Sequence, residues 1–94
     1  MQDSYQTDFA VEYVEVGPYA HGFGTSEDGL PYSFRVTGRT LVVDVYREGA
    51  DTVPQPDDVV ARAEGSVTEI DLADERSIVA FVRDLVAAAE PTTI

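Results

Sequence analysis

Residues 32–46 read YSFRVTGRTLVVDVY, and this stretch decides the fold class. Apolar and polar residues alternate on both sides of the short connection at 37–40, which contains Gly38. A period of two is typical of a strand with one buried face, and a short glycine-containing connection between two such runs is typical of an antiparallel hairpin. We therefore predict strands at 32–37 and 40–47. Their apolar positions are Tyr32, Phe34, Val36, Leu41, Val43 and Val45.

Two more strands are predicted before the hairpin. Residues 9–16 are β-branched and aromatic, with Phe9, Val11 and Tyr13 on one side, and a Gly-Pro turn follows them. Residues 19–25 read YAHGFGT, so large residues alternate with Ala20 and two glycines. One face of this strand is bare, which favours either a helix packed on it or a ligand or partner chain lying there.

The clearest element after the hairpin is a long helix over 74–89. Its apolar residues follow helical spacing, Asp74 or Asp71 can cap its start, and Pro91 lies just beyond its end. Before it, Pro56, the following acids and Gly65 predict a short helix over 57–64, although the β-branched Val59-Val60 pair favours a competing strand. A last strand is predicted at 67–71. The helical stripe consists of Ile78, Phe81, Val82, Leu85, Val86 and Ala89.

These elements predict one α+β domain over 1–94, with frayed ends at 1–7 and 91–94. Its largely antiparallel sheet has four to five strands and is packed by the long helix and the short one. Two helices on one side leave the other face of such a sheet without cover. We expect that face to bind a second copy of the chain, forming a homodimer, or another protein. Its predicted binding residues are Tyr19, His21, Phe23, Val42 and Tyr46.

Missing residue types exclude several chemistries. The chain has no cysteine and no lysine and a single histidine, so it can form no disulfide, no Walker A phosphate loop and no two-histidine metal motif. We predict no cofactor and no metal site. No run of about 18 apolar residues is present, and the first eight residues lack the features of a signal peptide. The sequence therefore predicts a cytoplasmic protein without membrane contact.

The charge is extreme for this size. Eighteen acidic residues against six arginines leave a formal charge of −12, about one uncompensated negative charge per 440 Å² of the surface expected for this mass. At about 1 M salt the Debye length shrinks to about 3 Å, which screens the self-repulsion. The complete use of arginine in place of lysine and the abundance of alanine and valine give a composition that resembles haloarchaeal cytoplasmic proteins, with high-GC actinobacteria as the other candidate source. We therefore predict adaptation to high salt.

Three function classes remain open after these exclusions. The first is a non-catalytic binding or regulatory module that acts through a sheet face. The second is a small enzyme that uses His21 with Glu27 or Asp28 as an acid or base pair. The third is an acidic mimic of nucleic acid. We predict no direct binding of nucleic acid, because six dispersed arginines cannot offset the negative field. The absence of an assembled catalytic set favours the binding module.

Overall fold

The computed structural model describes residues 9–49 and 56–91. Within them, six strands form a single antiparallel sheet in chain order, and an α-helix packs on one of its faces. This architecture confirms the predicted α+β class. The strands are β1 (Ala10–Glu15), β2 (His21–Thr25), β3 (Pro31–Thr37), β4 (Thr40–Tyr46), β5 (Val59–Ser66) and β6 (Glu90–Pro91), and the helix α1 (Glu75–Ala88) lies between β5 and β6 in the chain.

The predicted hairpin of β3 and β4 is confirmed, and it lies at the centre of the sheet. Thr37 pairs with Thr40 across the turn, and Gly38 has a φ of 63°, a backbone conformation that glycine adopts without steric cost. The alternating apolar residues of both strands are buried and belong to the same core cluster as Ile78 and Val82 of α1. The fully or almost fully buried side chains of this core include Tyr32, Phe34, Val36, Leu41, Val43, Val45, Ile78 and Val82.

Helix α1 begins and ends close to the predicted bounds. The Asp74 side chain caps it by accepting hydrogen bonds from the backbone N–H of Arg76 (3.0 Å) and the hydroxyl of Ser77 (3.1 Å). Ile78 and Val82 are completely buried against the sheet. The amphipathic spacing in the sequence therefore identified the face of the helix that forms the core.

The short helix predicted over 57–64 is wrong. A single 3₁₀ turn at Pro56–Asp58 contains the proline and the acids, and the residues after it form β5. Its burial alternates strictly between half-buried and exposed positions, with alanine and glycine on the buried side. Phe81 and Leu85 of α1 lie directly over Gly65, which leaves no space for a side chain at that position. Tertiary packing therefore decided in favour of the competing strand.

Residues 67–71 form a turn, so the strand predicted there is also wrong. Val67 is buried, its N–H donates to the carbonyl of Arg39 (2.9 Å), and Ile70 N–H donates back to the carbonyl of Val67 (3.0 Å). After the other end of the helix, Pro91 belongs to β6 and pairs with Ala61 of β5, so it is not frayed as predicted. The predicted ends at 1–7 and 92–94 lie outside the described residues. The sheet thus has six strands in place of the four to five expected.

A register shift in β1 separates residues that the sequence placed on one side. Between Val11 and Tyr13 the pairing with β2 is irregular, so one additional residue is accommodated in β1. Phe9 stacks on the buried ring of Tyr32 at 5.3 Å, whereas Tyr13 pairs with Phe23 on the opposite face. The prediction that Phe9, Val11 and Tyr13 share one side is therefore wrong.

The bare side of β2 is covered by its neighbours in the sheet. A side chain at Gly22 would meet the carbonyl of Tyr13 and the ring of Phe34, and one at Gly24 would meet the carbonyl of Ala10 and the hydroxyl of Tyr32. That hydroxyl donates to the Ala10 carbonyl (2.9 Å), and burial raises the pKa of Tyr32 well above its usual range. The absence of side chains at Gly22 and Gly24 therefore makes space for β1 and for the two rings, and no helix of the described ranges packs there.

Candidate binding face of the sheet

The face of the sheet turned away from α1, which we call the outer face, is the candidate site. Direct partners in an antiparallel sheet point to the same side, so the strand register defines two rows of residues across it. No helix or strand of residues 9–49 and 56–91 covers this face. One row contains Tyr13, Phe23, Ser33, Asp44 and Arg62, and the next contains Glu15, His21, Arg35, Val42 and Glu64.

Three aromatic side chains gather at the β1–β2 side of the outer face, and we call Tyr13, His21 and Phe23 the aromatic cluster. The ring of Tyr13 lies 5.8 Å from that of Phe23 and 5.9 Å from that of His21, between centroids. Tyr13 is 43% exposed and Phe23 is 48% exposed. The Tyr13 hydroxyl donates to the carboxylate of Glu15, and this hydrogen bond and charge raise the pKa of Tyr13. The cluster is thus an ordered aromatic surface open to solvent.

A charged group occupies the β3–β5 side, and we call Arg35, Asp44 and Arg62 the arginine cluster. The Asp44 carboxylate accepts from Nε of Arg62 (2.6 Å) and from an Nη of Arg35 (3.3 Å). Its side chain is 8% exposed, because the two guanidinium groups cover it, while each arginine remains about half exposed. The hydrogen bond that Arg62 donates to Asp44, together with the charge of that carboxylate, raises the pKa of Arg62. Asp44 therefore holds two half-exposed cations in fixed positions on the outer face.

The predicted binding residues divide between this face and a neighbouring turn. His21, Phe23, Val42 and Tyr46 lie on the outer face, where the Tyr46 hydroxyl is 2.7 Å from the hydroxyl of Ser33. Tyr19 lies in the turn before β2 and is 81% exposed. Its carbonyl accepts a hydrogen bond from Nδ1 of His21 (3.1 Å). The structure thus brings four of these residues together and leaves one at the margin.

Sequence reasoning missed the arginine cluster and the position of Tyr13. A signal for the cluster was present, because Asp44 is the only charged residue within the apolar run of β4. Its partner Arg62 belongs to β5, which had been assigned to a helix, so the pair could not be recognised. Tyr13 was assigned to the wrong side because no residue pattern within β1 indicates the register shift.

The acid or base pair considered for His21 is not assembled. His21 begins β2, whereas Glu27 and Asp28 lie in the turn after its end, beyond a five-residue strand that spans about 16 Å. Both acids border a cleft of about 290 Å³ on the opposite side of the sheet, between that turn and the C-terminal half of α1. In the cleft, the guanidinium of Arg83 lies 5.6 Å from the ring centroid of Phe9. His21 and the two acids therefore belong to different surfaces.

Two acidic side chains, one in the 3₁₀ turn and one at the start of α1, have structural roles. Asp58 accepts from Nε of Arg47 (2.7 Å), and Asp74 caps α1. Among residues 9–49 and 56–91, no three aspartate, glutamate or histidine residues are grouped as metal ligands. In the same ranges no helix is both long and apolar enough to cross a lipid bilayer.

Comparison with known proteins gives no match: no family model, no curated protein and no solved structure is similar to this chain. Its function must therefore be argued from the chemistry of its own surfaces.

Proposed function

We propose that the chain is a small, non-catalytic binding module that acts through its outer face on another protein surface, in a saline cytoplasm. The observation that carries the proposal is the aromatic cluster, in which two large rings are about half exposed on a sheet face that no described helix or strand covers. Aromatic residues and arginine are enriched where proteins bind one another, because rigid rings and planar guanidinium groups lose little entropy on contact. A homodimer, as the sequence predicts, is the first complex to test.

The arrangement of the face supports a protein partner over a nucleic acid. The two guanidinium groups of the arginine cluster share a carboxylate, and Glu15 and Glu64 lie in the adjacent row of the same face. A phosphate backbone requires several uncompensated cations. A protein surface, in contrast, can pair with rings, hydroxyl groups and bound guanidinium groups at once.

A photo-crosslinking experiment tests the proposed binding face. A benzophenone amino acid is placed at Phe23, on the outer face, or at Ala80, which is exposed on α1 on the other side of the sheet. After irradiation in native cells at their own salt concentration, we expect protein adducts from position 23 and few from position 80. Adducts of equal yield from both positions, or none from position 23, would contradict the proposal.

A salt titration tests the proposed adaptation. Because a charge of −12 repels itself in dilute buffer, we expect the free energy of unfolding in urea to rise by more than about 1 kcal/mol between ~0.1 M and ~2 M KCl. Salt also strengthens apolar burial in any protein, so a matched control is needed. A variant with the exposed acids Glu48, Glu69 and Asp84 replaced by their amides should show a shallower rise. Equal slopes for the two proteins would show that charge screening is not the cause.

A further inference from the structure

Resting on the proposed function, we infer that the partner of the outer face is a second copy of the chain, turned so that each aromatic cluster lies on the arginine cluster of the other copy. The two clusters occupy opposite halves of the outer face, whose middle strand is β3, the third of the five long strands. The aromatic cluster lies on β1 and β2, and the arginine cluster extends from β3 to β5. A surface with two different halves about its centre is self-complementary when a two-fold axis passes through that centre.

A two-fold axis along β3 fixes which strands meet. It places β1 of one copy over β5 of the other, and β2 over β4, while keeping the rows of the register aligned. Tyr13 and Arg62 share a row, so the Tyr13 ring of one copy lies over the Arg62 guanidinium of the other. In the same row Phe23 lies over Asp44 and its two covering guanidinium groups. Sheets that pack face to face lie about 10 Å apart, a distance that side chains of this length bridge.

The chemistry of these contacts is favourable. A guanidinium group within about 6 Å of a ring centroid is attracted by the ring quadrupole, most strongly once water is excluded. Asp44 already fixes Arg35 and Arg62 through hydrogen bonds, so binding immobilises few additional torsions. The rings of Tyr13 and Phe23 are ordered by each other in the same way.

An axis across the strands would give a different dimer. It would place each strand over its own copy, so the arginine cluster of one chain would face the same two guanidinium groups of the other. Like charges in such contact oppose association. The axis along β3 leaves only Arg35 facing the same residue of the second copy, and it places Arg62 over the Tyr13 ring instead of over another guanidinium group.

The preferred arrangement also contains like-charge contacts that make it sensitive to salt. Arg35 belongs to β3, so the axis places it beside Arg35 of the second copy. Glu15 and Glu64 share a row, so the axis along β3 places Glu15 of each copy over Glu64 of the other, a contact that occurs twice. Together with the net charge of −12 on each chain, this repulsion weakens the dimer at low ionic strength. Five strands of about six residues give a face of about 24 × 20 Å, so the dimer buries area near the lower limit of specific interfaces. We therefore expect a dimer that forms reversibly and tightens with salt.

Sedimentation equilibrium at ~0.1 M and ~2 M KCl tests the dimer, with protein from about 10 to 500 μM. The wild-type chain should dimerise, and the dissociation constant should fall as salt increases. The contact between Tyr13 and Arg62 occurs twice in the dimer, so Arg62→Gln removes both copies of it. This variant should therefore raise the dissociation constant at least about tenfold at both salt concentrations. Arg62→Lys should also weaken the dimer, since it keeps the charge and loses the planar group. Circular dichroism confirms that each variant is folded.

Glu64→Gln, on the same strand β5, is expected to lower the dissociation constant instead. Removing this carboxylate should tighten the dimer at least about threefold at ~0.1 M KCl, and the gain should fade at ~2 M. Asp84→Asn is the matched control, because it removes one negative charge from α1 on the other side of the sheet. Its effect should be clearly smaller than that of Glu64→Gln.

The outcomes separate this inference from the proposed function. A strict monomer at both salt concentrations, or equal effects of Glu64→Gln and Asp84→Asn in a dimer, would overturn the arrangement. A monomer that still forms crosslinks from position 23 to another protein would overturn the dimer and leave the binding module intact. A dimer unaffected by Arg62→Gln would show that the arginine cluster does not contact the second copy.

Discussion

Gly22→Ala is expected to lower the free energy of unfolding by about 3 kcal/mol, the upper end of the usual range for overpacking. Alanine normally stabilises a strand relative to glycine by about 0.5–1 kcal/mol, because glycine loses more backbone freedom on folding. Here a Cβ would meet the Tyr13 carbonyl of the paired strand and two carbons of the Phe34 ring at 2.8 Å. The backbone of β1 must move to admit it, so the usual sign is reversed.

The matched control for this substitution is Gly65→Ala on β5. There a Cβ would meet side-chain atoms of α1, with Phe81 Cζ at 2.6 Å and Leu85 Cδ2 at 3.3 Å. Side chains adjust at lower cost than a paired strand, and the double variant Gly65→Ala/Phe81→Leu should recover part of the loss. Urea denaturation of the three variants measures how much each one lowers the free energy of unfolding. Equal costs for Gly22→Ala and Gly65→Ala would contradict the close approach of β1.

The effect of Gly22→Ala should reach the candidate site. The close contact of β1 with β2 positions Tyr13 beside Phe23, so a displaced β1 carries one ring away from the other. Ring-current shifts in the NMR spectrum of Tyr13 and Phe23 report their 5.8 Å separation directly. Loss of these shifts in folded Gly22→Ala would connect this buried glycine to the geometry of the outer face.

The parts of the fold that the sequence predicted correctly are those with a local period. The β3–β4 hairpin alternates around Gly38, and α1 repeats its apolar residues with a cap at Asp74, so each pattern is complete within one segment. The composition of β5 has a long-range cause instead. Gly65 is small because Phe81 lies over it, and no reading of residues 57–64 alone reveals that contact.

In the candidate site too, the sequence predicted only those features whose pattern lies within a single strand. Alternation within single strands placed Phe23, Val42 and Tyr46 on faces that the helices could not all cover, which led to the expectation of an uncovered sheet face. The arginine cluster needs the register between β4 and β5, because Asp44 meets Arg62 only after the two strands are paired. The aromatic cluster needs the irregularity in β1 that turns Tyr13 outward. Both depend on pairing across the sheet, which a single sequence does not contain.

Ile78→Ala is expected to lower the free energy of unfolding by about 2–5 kcal/mol, the usual range for truncating a buried isoleucine. Its side chain is completely buried where α1 crosses the sheet, within the core that contains Leu41 and Val43. α1 is the only α-helix among residues 9–49 and 56–91, so no second helical layer in these ranges can close over the cavity. The loss should therefore approach the upper half of that range.

Two valines of α1 supply the control, because they undergo the same chemical change at different burial. Val82 is completely buried and Val79 is only partly buried, so Val82→Ala should cost more than Val79→Ala. Urea denaturation at one fixed KCl concentration gives all three values without a change in charge screening. If Val79→Ala cost as much as Val82→Ala, the assigned face of α1 would be wrong, and with it the identification of the opposite side of the sheet as the outer face.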